Sequence, residues 1–159
     1  MTTASATDAL PTLGHGFYWQ DIHVGQTFKT FRRTVTETDL VNFISVTGMT
    51  EAIFIDAEYE HAAVKGRLVP AALTYALIEG FILQSMIQGT GLAMLELTQK
   101  IHGPVKVGDT IWATVEVTGI RPTSKSGRAV VDSTMSVSNQ RGEVVMTYTA
   151  RRLLAGRPA

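Results

Sequence analysis

Between Thr47 and Leu73 the chain reads TGMTEAIFIDAEYEHAAVKGRLVPAAL, and the residues in it with the strongest claim to proton chemistry are Glu51, Asp56 and His61. A carboxylate or imidazole held beside a substrate serves as general acid or base. Glu51, hemmed by Met49, Ile53 and Phe54, has such a setting; its plainer role is a solvated or helix-capping carboxylate. Asp56 opens Asp56-Ala57-Glu58-Tyr59, which looks like a helix start with Asp56 as its N-cap. His61, after Tyr59-Glu60, is either a surface residue or one that lines a site. His15, His23 and His102 show no spacing with each other or with carboxylates that would ligate a metal, and none is expected. The chain has no cysteine, which removes disulfides, thiolate ligands and a thiol nucleophile together. Gly89-Thr90-Gly91 lacks the strand before and the helix after that a phosphate loop needs, and no Gly-x-Ser-x-Gly elbow occurs.

The elements that must position these groups are legible from period and punctuation. Phe28, Thr30, Arg32 and Thr34 alternate as in a half-exposed strand. Thr36 with Asp39 three residues on forms a capping arrangement, Leu40, Phe43, Ile44 and Thr47 give an apolar face, and Gly48 stops the helix. Residues 49–69 have no clean period and read as an irregular segment packed over something, with a turn of helix at Ala57–Ala63. Pro70 begins a second helix that runs towards Gly89. It is apolar on nearly every side (Leu73, Leu77, Phe81, Ile82 and Met86, with Ala72, Ala76, Ile78 and Leu83 between), so it is wrapped by other structure. Glu79 within it needs a partner such as an arginine or tyrosine, or else faces an opening. Beyond Gly89 the pattern is β: a long strand from Gly91, Ile111, Ala113, Val115 and Val117 on one face of the next, then two strands joined at Asn139-Gln140-Arg141-Gly142. An antiparallel meander of about four strands curling around one central helix is an α+β layer architecture.

At 159 residues the chain suits a single domain, assigned to 17–155 after a flexible lead-in at 1–16. Lys+Arg 14 balances Asp+Glu 14, so no charge argument favours nucleic acid. The N-terminus has no basic region followed by an apolar core, and the apolar stretch Leu68–Met86 is broken by Glu79, Gly80, Gln84 and Ser85. A cytoplasmic globule away from the membrane is the expectation.

The segments RRTVTETDLVNF, SVTGMTEAIFIDAEY, RLVPAAL, GPVKVGDTI, RPTSKSGR and NQRGEVV follow one another in an order that resembles the MaoC-like dehydratase family, the (R)-specific enoyl-CoA hydratases of the hot-dog fold. The resemblance spans about residues 18–155. It implies an antiparallel sheet wrapped around a long central helix with an overhanging segment. It also implies at least a homodimer with sheets joined edge to edge, and an acyl-CoA thioester bound between subunits. No cofactor is implied beyond the coenzyme A of the substrate. Relatives carry an aspartate and a histidine in the loop; here Gly48 matches, but Met49 stands at the aspartate, Glu51 at an asparagine, Ala52 at a proline and Phe54 at the histidine. Neither a thioether nor a phenyl ring transfers protons. Glu51 in place of 49, or Asp56 in place of 54, would restore a group, since side chains two apart in extended chain point the same way.

The same resemblance makes Met49, Phe54, Pro70, Ala71, Ala72 and Tyr75 candidates for lining the acyl site. For the coenzyme phosphates the cations are Arg121, Lys125 and Arg128, or Lys65 and Arg67 ahead of the central helix. The leading function is hydration or dehydration of enoyl-CoA and 3-hydroxyacyl-CoA thioesters with atypical catalytic residues. The alternatives are a non-catalytic acyl-thioester-binding subunit, the inactive half of a heteromer with a second hot-dog chain, and an acyl-CoA thioesterase.

Overall fold

The computed structural model of the chain describes residues 10–124 and 127–158. Strands β1 (Thr27–Lys29) and β2 (Arg33–Thr34) lead into helices α1 (Glu37–Thr47), α2 (Ala52–Ile55) and α3 (Ala71–Gln84), followed by β3 (Gly91–Ile101), β4 (Thr110–Pro122), β5 (Arg128–Ser138) and β6 (Val144–Ala155). The sheet is antiparallel in the order β1-β4-β5-β6-β3, with β2 also on β4. The expected meander is therefore corrected in one respect. β4, β5 and β6 are neighbours in sequence order, but β3 pairs with β6 at the far edge and not with β4. The single strand read through Phe28–Thr34 is two short ones. Residues 1–9 of the expected lead-in lie outside the described residues, while Gly16 already belongs to the fold. A Cβ there would meet Gln88 N at 2.5 Å, so only glycine allows the approach that joins Gly16 N–H to the Gln88 carbonyl.

α1 forms where its punctuation says it should. The Thr36 hydroxyl accepts from the Asp39 amide, the Asp39 carboxylate accepts from the Thr36 amide, and Gly48 closes the helix at φ 72°. Leu40 and Ile44 are its buried residues. α3 begins at Pro70 as expected but ends at Gln84, five residues short of Gly89. The Ser85 hydroxyl bonds back to the Phe81 carbonyl, the Ile87 amide turns to Ile82, and the carbonyls of Met86 and Gln88 accept from Phe17 and Gly16. A long-range crossing, invisible to local period, ends the helix.

One face of α3 lies in the core: Leu73, Thr74, Ile78, Glu79 and Ile82 are buried. It packs with the inward residues of the sheet, among them Ile111, Val115 and Val117 of β4, Val131, Met135 and Val137 of β5, and Tyr148, Ala150 and Leu154 of β6. Each such large side chain taken wholly from water contributes about 1.5–3 kcal/mol before entropy is counted. The wrapping is incomplete. Ala76 and Leu83 are exposed and nothing stands within 4 Å of where a Cβ on Gly80 would be, so a strip of α3 is open. No helix among the described residues is long and apolar enough to cross a membrane.

Two of the sequence words turn out to be architecture. In PVKVGDT the Asp109 carboxylate accepts from the Lys106 amide at 2.9 Å, and from Gln140 at 2.7 Å and Arg141 at 3.2 Å in NQRGE. Burial works to raise the Asp109 carboxyl, but these bonds together outweigh it and hold it below the usual carboxylate range. Buried Asn139 closes the hairpin by accepting from the Arg141 and Glu143 amides.

Candidate active site

At the start of α3, proline cannot supply an amide and is buried as the N-cap. The Leu73 and Thr74 amides both turn back to the Pro70 carbonyl, at 2.9 and 3.2 Å. The amides of Ala71 and Ala72 have no acceptor among the described residues. Two half-buried donors at the positive end of a helix are suited to an oxygen that gathers negative charge. A cavity of about 60 Å³ beside Ala71 is walled in part by Thr74, whose buried hydroxyl has no partner. Tyr75 is half-buried with its ring edge-on to Tyr148 at 5.1 Å. Burial, reinforced by the Glu79 charge, pushes its phenol up.

The segment before α3 is fastened down by Arg67. Its guanidinium donates to both oxygens of Glu37, at 2.6–3.1 Å, and to the Phe54 carbonyl. The Arg67 guanidinium holds the Glu37 carboxyl below the usual carboxylate range. On the other side Val69 N–H donates to Val105 and Val107 N–H donates to Arg67, so the lead into α3 is stitched to the strand-entry loop.

Within the overhang, Glu51 is the N-cap of α2, its carboxylate accepting from the Ile53 amide at 3.0 Å, and in the single chain it is exposed. Met49 is exposed as well, whereas Phe54 is half-buried and packs on the core. The helical turn falls at Ala52–Ile55, ahead of the expected Ala57–Ala63. Asp56 is therefore a C-cap and not an N-cap: its amide donates to Ala52 while its carboxylate accepts from the Glu58 amide. His61 is exposed, and its ring stands edge-on to Tyr59 at 5.6 Å.

The candidate phosphate cations separate. Arg67 is committed to Glu37 and Phe54, and Lys65 reaches the Glu60 carbonyl at 3.5 Å. Arg121 pairs with Asp132 at 3.2 Å and Arg128 is exposed; Lys125 lies outside the described residues. Register places Arg121 and Arg128 beside Ala155 and Gly91, at the end of the sheet opposite Ile101, and it is near Ile101 that the chain enters α3. Strands of eleven residues or more span about 35 Å, so one chain does not bring this hairpin to the Ala71–Ala72 amides.

Sequence reasoning missed Arg152. Its side chain is buried on β6 and pairs with Glu79 at 2.5 Å, and Nη1 donates to Ser133 at 3.0 Å. Tyr148 O–H donates to the same Glu79 oxygen at 2.8 Å. Burial first, then the Glu79 charge, drives the Tyr148 phenol far above its ordinary value. The signal was there: Tyr148, Ala150, Arg152 and Leu154 alternate on one face, and the arginine on that face is the partner Glu79 required. Outside this centre, Glu96 pairs with Arg151 on the outer face, and His102 shares a 2.8 Å bond with Thr147. No group of three metal-ligating side chains occurs among the described residues.

Comparison with known proteins agrees with this fold. A family model for the FAS1-like dehydratase domain region matches residues 22–148. An (R)-specific enoyl-CoA hydratase from Rhodospirillum rubrum is 30% identical over 109 residues, covering 68% of this chain and 74% of its own. A MaoC-like dehydratase structure from Rhodospirillum rubrum superposes with a TM-score of 0.81 at 24% identity, over 91% of this chain and all of that one. A Mycobacterium tuberculosis protein with a double hotdog fold superposes with a TM-score of 0.80 at 20% identity, over 90% of this chain and 45% of that one. The chain therefore belongs to the FAS1-like dehydratase domain family and is a MaoC-like protein of the hot-dog fold.

Proposed function

We propose that the protein hydrates 2-enoyl-CoA thioesters, or dehydrates the 3-hydroxyacyl-CoA products, at a seam between two copies of the chain. The observation that carries this is the pair of unpartnered amides of Ala71 and Ala72 at the start of the buried helix. As water adds its hydroxyl to C3 and a proton to C2, charge collects on the thioester oxygen, and two fixed N–H donors stabilise it most where that charge is greatest. Glu51 is the carboxylate proposed to exchange the proton, with Asp56 and His61 behind it. Met49, Phe54 and Tyr75 would border the acyl group, whose coenzyme A is substrate and not cofactor.

The seam is supported by β3. None of its residues is buried, and Leu92, Met94, Leu95, Leu97 and Ile101 are 38–51% exposed. Leu83, from the open strip of α3, lines one cavity with Leu92 and Met94 of β3. An edge strand with apolar side chains on it is completed by another strand. Two β3 strands joined antiparallel would bring the Arg121–Arg128 end of one sheet to the same end as the Ala71–Ala72 amides of the other, which gives those cations a route to the coenzyme phosphates.

A second reading rests on Phe54, packed on the core and fastened through its carbonyl where relatives hold a histidine. In that case the chain binds acyl thioesters without turning them over, alone or as the inactive half of a heteromer. Loss of enoyl absorbance with crotonyl-CoA and longer homologues separates the two, and release of free thiol would identify a thioesterase instead. In the hydratase, Glu51→Gln is expected to lower kcat by about 10²–10⁴-fold with the fold intact. Unchanged turnover removes Glu51 from the chemistry. No turnover, with a raised Tm on adding thioester, selects the binding subunit.

A further inference from the structure

A cavity of about 310 Å³ lies between the end of α3 and the start of β3, walled by Leu83, Ile87, Leu92, Ala93 and Met94 with the glycines at 89 and 91. One charged residue stands in this largely apolar wall, Arg152, which is only 4% exposed. A guanidinium carries five N–H donors. Here one Nη2 bond goes to Glu79 and one Nη1 bond to Ser133, while Nε is buried and has no partner. Buried donors are seldom left without an acceptor, and among the described residues Gln88 is the one other polar side chain on this wall, with no bond to Arg152.

We propose that this cavity receives the far end of the acyl chain and that Arg152 selects chains bearing a neutral oxygen there, a hydroxyl or carbonyl, over chains ending in a methyl. This deepens the acyl-thioester reading and rests on it. Charge decides between neutral and acidic tails. Glu79 already balances Arg152 at 2.5 Å, so a tail carboxylate would bring a second negative charge into a buried neutral pair, whereas a hydroxyl accepts an N–H bond without changing the charge. Position is consistent with the seam. The cavity lies at the Gly91 end of β3, and in an antiparallel pairing of two β3 strands that end adjoins the Ile101 end of the second copy, where the second copy's Ala71 and Ala72 amides face the thioester. A tail leaving the reacting carbon at one copy's helix start then points towards the other copy's cavity.

The test uses the full chain and three sets of saturated CoA thioesters of matched length from four to ten carbons, ending in methyl, hydroxyl or carboxylate. Affinity is read by calorimetry. At the length that reaches Arg152, the hydroxyl-ended thioester is expected to bind about tenfold tighter than the methyl-ended one, the gain of one buried hydrogen bond, and the carboxylate-ended one no better than the methyl. Glu79→Leu with Arg152→Met removes both charges together, so neither is left buried alone; it is expected to abolish or reverse the hydroxyl preference while methyl-ended thioesters still bind. Equal affinity for hydroxyl and methyl tails at every length in the wild-type chain overturns the proposal and leaves the acyl-thioester reading standing, even if the double variant does not fold. A carboxylate preference overturns the charge argument. Failure of every thioester to bind removes the acyl-thioester reading, and this proposal with it.

Discussion

Strands β3 and β5 are eleven residues each and lie in one sheet, yet they meet different surroundings. Along β5 buried and half-buried residues alternate, with Ala129, Val131, Ser133, Met135 and Val137 pointing inward. β3 has no buried residue at all, although Leu92, Met94, Leu95 and Leu97 are as apolar as anything on β5. The difference is position. β5 has β4 and β6 on its two sides and α3 over its inner face, whereas β3 has only β6, with register shifts at two places along the pairing. Hydrophobic residues thus meet two fates in this molecule: those on β5 complete the core of the single chain, and those on β3 are left exposed by it.

The largest effect should come from the finished side of that contrast. Met135→Ala removes a side chain with no exposure and is expected to cost about 2–5 kcal/mol in urea denaturation, independent of protein concentration. A cost below about 1 kcal/mol would mean that the β5 face is no better packed than β3. Leu95→Lys with Leu97→Lys on β3 should leave the single chain nearly as stable while converting a dimer to monomers by light scattering, and should remove any dependence of Tm on concentration. If the double variant stays dimeric, or unfolds as Met135→Ala does, the contrast fails. The smallest effect concerns the segment laid over the sheet. Arg67→Ala should cost about 1 kcal/mol at pH 7, because its partner Glu37 is half exposed. The folded value of Glu37 lies below its ordinary 4.5, so the ion pair contributes fully above pH 4.5 and its contribution is lost as the pH falls through the lowered value. The gap between wild type and variant should therefore narrow at pH 3. An undiminished gap would assign the fastening to the Phe54 carbonyl alone.

What the sequence made legible was local. Thr36, Asp39 and Gly48 are bounded by interactions within a few residues, and α1 lies between them. The start of α3 at Pro70 was equally plain, but its end was set by Gly16 and Phe17, some seventy residues away. β3 read correctly as a strand and wrongly as the neighbour of β4, because period reports which faces are apolar and not which strand lies alongside. The word order identified the family, while two pairs that fasten the candidate site, Arg67 with Glu37 and Arg152 with Glu79, are separated by 30 and 73 residues and carry no short-range mark. Glu51 was legible as a capping carboxylate and is one.

Arg67 grips the main-chain oxygen of Phe54 and not its ring. That anchorage is indifferent to which side chain position 54 carries. A histidine put there would inherit a loop already held in place at its main chain. The choice of side chain at 54 is thereby uncoupled from this fastening of the main chain, so Phe54→His, alone or with Met49→Asp, keeps the Arg67 anchor and gives up only the packing of the ring.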